Sequence, residues 1–157
     1  MLIFKDVLTG EALSSDEISF ELVDNLIYEF KGSYVSGGVE GTINDIDFLR
    51  KYQLVEVILA KSEFKGYIQR YSKKVLVYLQ CAGGRGQDID NFKKGMSEWV
   101  ARIMDEDRWN TLQFYRTKGD LQENPEGQLC IVEWRDGEGG AVPYLLLIKE
   151  GVKLDIA

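Results

Sequence analysis

The sequence contains no histidine, and its two cysteines, Cys81 and Cys130, stand far apart with no C-x-x-C pattern. That removes the usual ligand set of a structural zinc site. It also leaves a serine or cysteine nucleophile without the imidazole base that commonly activates it. Long apolar runs are missing too: nothing approaches the ~20 residues needed to cross a bilayer, and Met1-Leu2-Ile3-Phe4-Lys5-Asp6 lacks the basic start and apolar stretch of a leader. A cytoplasmic protein without membrane contact is therefore expected. Cations are the minority charge, 19 Lys and Arg against 26 Asp and Glu, for a net of −7. Such a balance argues against a general nucleic-acid binder, which needs clustered cations for phosphate contacts. In a reducing compartment both cysteines are expected free, Cys81 exposed beside Gly83 and Cys130 a small hydrophobe inside an apolar strand.

What is present suffices for one ordinary domain. At 157 residues and 45% apolar content, the chain can bury a core without metal or disulfide support. A single domain over 1–157 and a monomer are expected.

The chain is organised around residues 62–104. Phe64, Tyr67, Ile68, Tyr71, Val75, Tyr78 and Leu79 recur at spacings of three and four, the period of one helix face. The same period resumes in Ile89, Phe92, Met96, Trp99, Val100 and Ile103. Between them Gly83-Gly84-Arg85-Gly86 follows a helix and lacks the lysine-serine end of a phosphate loop, so it reads as an interhelical turn and the unit as an αα-hairpin. Counting from Lys61, the hairpin carries nine cations against four acids, a net of +5, which leaves −12 for the rest of the chain. Lys65, Arg70, Lys73, Lys74, Lys93, Lys94 and Arg102 mostly fall off the apolar faces and are expected to be exposed.

On either side of the hairpin the chain reads as strands. Leu2 to Leu8 suits a strand closed by Thr9-Gly10, and Ser14-Ser15-Asp16 a second turn. After Asp24-Asn25, Leu26, Tyr28 and Phe30 alternate with Ile27, Glu29 and Lys31. Gly32 to Gly41 reads as a loop, and Ile46 with Phe48, then Leu54 to Leu59, as strands. Ser62 is the expected N-cap of the first long helix, and the second is expected to end near Met104, because Asp105-Glu106-Asp107 sits badly at a helix C-terminus. Strands at 112–115, 129–134, 142–148 and 152–156 follow, separated by a polar loop and by the turn residues Arg135 to Gly140. Strands, two helices and more strands predict an α+β domain built on a mostly antiparallel sheet.

The opening Met1 to Thr9, Ser15-Asp16, Ile46-Asp47-Phe48-Leu49, Phe64-Lys65-Gly66-Tyr67-Ile68 with Tyr71, Gln113-Phe114-Tyr115, and Val142-Pro143-Tyr144 to Lys149-Glu150-Gly151 occur in order over nearly the whole chain. Together they resemble the translationally controlled tumour protein family. The resemblance implies an Mss4-like β-tent of short antiparallel sheets with a projecting αα-hairpin, related to Rab exchange-factor-like proteins and methionine sulfoxide reductase B. Three departures stand out. The family's long acidic loop before Ile46 is cut to about 36–45. Its Gly-Glu after the aromatic pair is displaced into Arg116-Thr117-Lys118-Gly119-Asp120. Its acidic pair near Glu11 is here Glu11-Ala12.

The resemblance implies a non-enzymatic interaction protein with roles in growth control and translation, tubulin and microtubule association, contacts with small GTPases and elongation factors, and weak calcium binding without any other cofactor. The hairpin cations are the expected docking surface for acidic partners. Asp6, Glu11 and Asp16 are the expected acidic face, and a guanine-nucleotide exchange or dissociation role with Glu11 near the working face is the alternative. Asp45, Asp47 and Glu56 fall at positions 1, 3 and 12 of an EF-hand count, but Leu49 and Arg50 fill positions 5 and 6, so no EF-hand is expected. Weak calcium is then expected at Asp105, Glu106 and Asp107, or at Asp6 with Glu11, with a solvated acidic face as the plainer reading. Reductase chemistry is disfavoured, because Cys130 lacks a base and a resolving thiol.

Overall fold

The computed structural model describes residues 1–34 and 46–157, so the shortened loop expected over 36–45, Asp45 included, lies outside the described residues. In chain order come β1 (Leu2–Asp6), β2 (Ala12–Ser15), β3 (Phe20–Val23), β4 (Ile27–Lys31), α1 (Asp47–Lys51), β5 (Val55–Val57), α2 (Lys61–Cys81), α3 (Gly86–Ile103), α4 (Glu106–Trp109), β6 (Leu112–Arg116), β7 (Cys130–Gly137), β8 (Gly140–Ile148) and β9 (Val152–Ile156). Short 3₁₀ turns stand at Lys118–Asp120 and Lys149–Gly151. The strands form a small sheet ordered β2-β1-β9 and a larger one ordered β3-β4-β8-β7-β6-β5. All neighbouring strands of the two sheets run antiparallel.

The larger sheet is buried on both faces, which is why its central strand reads as an unbroken apolar run. Leu146 and Ile148 of β8, Ile131 of β7 and Phe114 of β6 pack with Phe64, Tyr67, Ile68, Tyr71, Val75, Phe92, Met96, Trp99 and Ile103 of the helices. On the opposite face Leu145, Leu147, Cys130, Val132 and Tyr115 pack with Phe4 and Leu13 of the small sheet and with Phe48 and Leu49 of α1. Each such side chain contributes about 1.5–3 kcal/mol of burial. The result is three layers: helical hairpin, six-stranded sheet, small sheet.

Several local expectations give way to the structure. Ser14 and Ser15 belong to β2 rather than a turn, pairing with Phe4 and Ile3. Phe48 lies in a helical turn, α1, instead of a strand, and Ile46 makes only a single bridge to Tyr34. Asp47 explains the start of that turn: its carboxylate accepts the Phe48 N–H at 2.8 Å and the Ser33 N–H at 3.3 Å. The N-cap of α2 is Ala60, not Ser62, and Glu63 supplies the cap by accepting the Ala60 N–H at 2.9 Å.

Leu26 leaves the face of Tyr28 and Phe30. Asp24 and Asn25 both take φ of 54°, and Leu26 donates its N–H back to Val23 at 3.0 Å, while Val23 pairs with Ile27. Leu26 is thus one residue too many for the hairpin and turns toward the helices. The acids that end the hairpin begin α4 instead, where an N-terminus favours them. Arg135, Asp136 and Gly137 extend β7, leaving Glu138-Gly139 as the turn into β8.

Candidate functional site: a basic hairpin and the polar knot at its base

Helices α2 and α3 put their apolar stripes on the sheet, so the intervening positions face solvent. Lys65, Arg70, Lys73, Lys74, Lys93, Lys94 and Arg102 are all exposed. Arg102 lies 3.7 Å from Asp24, an exposed pair worth ~0–1 kcal/mol. Between the helices runs a shallow groove of about 290 Å³ lined by Ile68, Leu76, Phe92, Met96 and Val100, with Lys93 on its wall. The helices are joined by Ala82 to Arg85, where Gly83 takes φ of +82° and Gly84 donates to the Leu79 carbonyl at 2.8 Å. Such a left-handed helix stop suits glycine.

At the base of α2 the structure builds a knot of polar groups that joins the three layers. Asp6 closes β1 and is only 1% exposed. Its Oδ2 accepts the Gln128 N–H at 2.7 Å and its Oδ1 accepts the Leu8 N–H at 3.0 Å. The Tyr71 hydroxyl lies 3.2 Å from Oδ1 and 3.2 Å from the Gly151 carbonyl, and accepts from Gln128 Nε2 at 3.1 Å. Gln128 in turn accepts the Ile148 N–H at 2.6 Å, while the Tyr67 hydroxyl accepts the Leu129 N–H at 2.8 Å. Burial raises the pKa of the Asp6 carboxyl above its ordinary value, against the pull of these hydrogen bonds. The same burial raises the pKa of both tyrosines.

Beside it Arg116, at the end of β6, donates to Asp120 Oδ2 at 2.6 Å and to the Gly127 carbonyl at 3.1 Å, with its guanidinium 5.5 Å from the Tyr67 ring centre. Asp120 also accepts the N–H groups of Glu126 and Gly127, both at 3.1 Å. One carboxylate therefore holds both ends of the polar loop between β6 and β7. Gly127 is required by this closeness: a Cβ there would stand 2.7 Å from Asp6 and 2.8 Å from Asp120. Glu11 accepts the Thr117 hydroxyl. Partial burial, then repulsion from Asp120 and Asp6, raises its pKa.

The expected acidic face is thus not one surface. Asp6 is consumed inside the protein, because its oxygens replace water for backbone donors that would otherwise be orphaned. Glu11 is half-buried, and Asp16 is exposed, accepting the Leu2 N–H at 3.0 Å. Asp105, Glu106 and Asp107 are exposed along the start of α4. Among the described residues no three His, Cys, Asp or Glu side chains gather so as to hold a metal ion. Asp47 and Glu56 of the EF-hand count are divided between α1 and β5.

The sequence reading missed Tyr71, Gln128, Arg116 and Asp120 as a unit. A signal existed: Tyr71 is a hydroxyl on an apolar helix face, and Arg116 ends an aromatic strand with an acid four residues on. Also missed was a charged chain at the sheet's other end. Glu133 accepts from Arg108 Nε at 2.5 Å and from Arg135 Nε at 2.7 Å, Arg135 grips Glu29 with both terminal nitrogens at 2.9 and 2.8 Å, and its guanidinium covers the Tyr144 ring at 4.3 Å. Burial would raise the Glu133 pKa, but the hydrogen bonds from Arg108 and Arg135 outweigh it, and the pKa is lowered.

Cys130 is 0% exposed, and burial raises its thiol pKa, the opposite of what a thiolate nucleophile needs. Cys81 is exposed at the end of α2. Two concavities flank the knot. One, of about 800 Å³, lies between α2, β5 and the loop after β6, lined by Leu59, Tyr67, Arg70, Arg116, Leu121 and Pro125 among others. The other, of about 350 Å³, lies between Glu11, Lys51, Tyr52, Gln53 and Lys118.

The sequence profile of the translationally controlled tumour protein family matches residues 1–47 and 36–153. The chain belongs to this family. The translationally controlled tumour protein homologue of Wuchereria bancrofti is 35% identical over 176 aligned positions, covering 97% of each chain. The Caenorhabditis elegans homologue is 33% identical with the same coverage. The solution structure of the C. elegans translationally controlled tumour protein superposes with a TM-score of 0.81 at 32% identity, covering 100% of this chain and 99% of that one. A family structure from Schizosaccharomyces pombe gives 0.79 at 22% identity and supports the fold alone. The α+β, Mss4-like architecture of translationally controlled tumour proteins is therefore that of this chain. The two matched stretches of the family profile meet over 36–47, where the sequence reading finds the family loop shortened. Gly119 and Asp120, the glycine and acid that follow the aromatic pair here, fold back beneath Arg116.

Proposed function

We propose that the chain is a non-enzymatic cytoplasmic interaction protein that presents its basic hairpin to acidic partners. The observation that carries this reading is that all seven cations named above are exposed, on a unit of net +5 in a chain of net −7. A field of that kind steers an acidic surface to the hairpin. Family resemblance supplies the partner classes: tubulin and its acidic tails, elongation factors and small GTPases, with roles in growth control and translation. No helix among the described residues is long and apolar enough to cross a membrane. Calcium enters this reading only as a weak ligand of surface carboxylates, Asp105, Glu106 and Asp107 being the candidates.

Changing Lys73, Lys74, Lys93 and Lys94 together to glutamine tests it, since glutamine has nearly the helix propensity of lysine. Binding to tubulin should weaken mainly through a slower on-rate and lose much of its salt dependence, while the melting temperature stays close to the parent's. Parent-like binding by this variant at low and high salt alike would remove the hairpin from the docking surface.

The second reading is control of nucleotide exchange or dissociation on a small GTPase or elongation factor. It is favoured by the position of Glu11 in the 350 Å³ concavity, which lies apart from the hairpin cations. Nucleotide release from candidate GTPases, timed with the parent and with Glu11→Gln, decides it. Identical release rates with and without the parent eliminate this reading.

A further inference from the structure

Strand β5 is an outer strand of the larger sheet, next to β6. It pairs Val55 with Arg116, Glu56 with Tyr115 and Val57 with Phe114. On the far side of β6, Trp134 donates its N–H to the Thr111 carbonyl at 3.1 Å, which sets the phase of the ladder. Backbone groups address the two sides of a strand alternately, so Gln113 and Tyr115 turn theirs to β7, and Phe114 and Arg116 turn theirs to β5. Val55 and Val57 therefore bond to β6, while Glu56, with Ile58 next in phase, presents its N–H and C=O along the open edge. No described backbone group meets either residue from that side.

Side chains at this edge are equally open. Ile58 is 84% exposed and Leu121 44%. On the helix face the edge borders the concavity of about 800 Å³ between α2 and the loop after β6, whose apolar lining includes Val57, Leu59, Leu121 and Pro125. Two guanidinium groups line it as well. Arg116 uses only Nη1 to reach Asp120 and the Gly127 carbonyl, which leaves Nε and Nη2 for a ligand. Arg70 has no ion-pair partner among the described residues and folds back over Gly66, with Nη1 3.1 Å from where a Cβ would stand. Of the acids on the lining, Glu63 caps α2, Asp120 is held by Arg116, and Glu123 is exposed.

We infer that β5 and this cleft bind an extended segment of a partner protein as an added antiparallel strand, read in the order apolar, apolar, any residue, acid. The residues opposite Ile58 and Glu56 exchange ladder hydrogen bonds with the open edge. Those opposite Val57 and Val55 turn their side chains to the helix face, into the cleft. The first apolar residue covers Ile58, and the second packs on Val57 and Leu59. The acid, opposite Val55, stands beside Arg116, the register partner of Val55 on β6. A lysine at the open position would face Glu56, a favourable cross-strand pair.

The cleft selects the acid. Arg116 is only 7% exposed, and a carboxylate meets its two unused donors in the forked geometry a guanidinium favours. An apolar side chain there would cover those donors without pairing them, and a basic one would be repelled by both arginines. The antiparallel direction follows the rest of the sheet, in which every neighbouring pair is antiparallel. The ladder is short, so the two side chains in the cleft carry the selectivity, and a short peptide should bind with Kd on the order of 100 μM.

Fluorescence anisotropy of a labelled, end-blocked peptide Ser-Val-Leu-Lys-Glu-Ser, titrated with the full chain to about 1 mM, tests the site. The parent should bind it saturably. N-methylation of the peptide's lysine removes the N–H that reaches the Glu56 carbonyl and should weaken binding about tenfold or more. N-methylation of its glutamate, whose N–H points away from β5, should change binding less than about twofold. Exchanging that glutamate for glutamine should weaken binding severalfold to the parent and less to Arg70→Gln, the coupling expected of a direct contact. The peptide is neutral, so the variant with Lys73, Lys74, Lys93 and Lys94 changed to glutamine should bind it like the parent, which separates this site from the hairpin's field. Absence of saturable binding, equal losses from the two methylations, no coupling with Arg70, or loss of binding in the four-lysine variant each overturns the inference.

Discussion

The Tyr71 hydroxyl of α2 lies 3.2 Å from the carboxylate of Asp6 at the end of β1, inside the protein and 65 residues away in sequence. Through Gln128 and the Gly151 carbonyl the same hydroxyl reaches the start of β7 and the turn before β9. The basic hairpin is thereby pinned to both sheets at one polar point rather than by apolar packing alone. Tyr71→Phe keeps the ring and its packing on Tyr67 but leaves Asp6 and Gln128 each short of a partner. Unfolding by urea should show a loss of about 1–3 kcal/mol. Amide exchange should quicken first in residues 67–75, the part of α2 beside the lost bond. An unchanged midpoint would show that water replaces the hydroxyl without cost.

Acid titration should separate the two ends of the sheet by sign. The folded pKa of Asp6 is raised above its ordinary 3.8, so its stabilising contribution is complete below that value and is lost as pH rises through the folded pKa. Glu133 is the reverse: its folded pKa is lowered below 4.5, so its contribution is complete above that value and is lost as pH falls through the folded pKa. Measured by urea midpoints, the parent's advantage over Asp6→Asn should shrink as pH rises from about 4, and its advantage over Glu133→Gln should grow over the same range. Slopes of the same sign for both variants contradict the assignment.

The two thiols should behave as opposites. Under native conditions a thiol reagent should modify Cys81, which is exposed, and reach Cys130 only on unfolding. Cys81→Ser should leave stability unchanged, whereas Cys130→Ser places a hydroxyl in an apolar layer and should cost about 1–3 kcal/mol. Rapid native labelling of Cys130 would show that the strand opens.

Calorimetric titration with calcium should reveal no sub-micromolar site, because the sequence has no complete coordinating loop and the buried carboxylates Asp6 and Asp120 are already occupied. Asp6 accepts backbone N–H groups and Asp120 holds Arg116. Tight stoichiometric binding would overturn this expectation.

Much of the fold was legible along the chain because its signals are periodic and local. The 3.6-residue stripe from Phe64 to Val75 and from Phe92 to Ile103 is the buried stripe of α2 and α3, whereas Tyr78, Leu79 and Ile89 at the hairpin's far end are exposed or half-buried because the sheet does not reach them; Leu145 to Ile148 reads as apolar because both faces of β8 are covered. Charge segregation was legible as well, since it needs only the helix period to place Lys73 or Lys94 in solvent. What the chain order leaves open depends on partners distant in sequence. Whether Asp6 is a surface acid or an internal one is decided by Gln128 and Tyr71, and whether Arg116 is a surface cation or a buried strut by Asp120 and Gly127. The turn of Leu26 away from Tyr28 follows from one extra residue in the β3–β4 hairpin, which an alternation count cannot see. Local propensity determined the elements, but only tertiary packing could decide which polar side chains lose water, because desolvation depends on what covers a group and not on its neighbours in the chain.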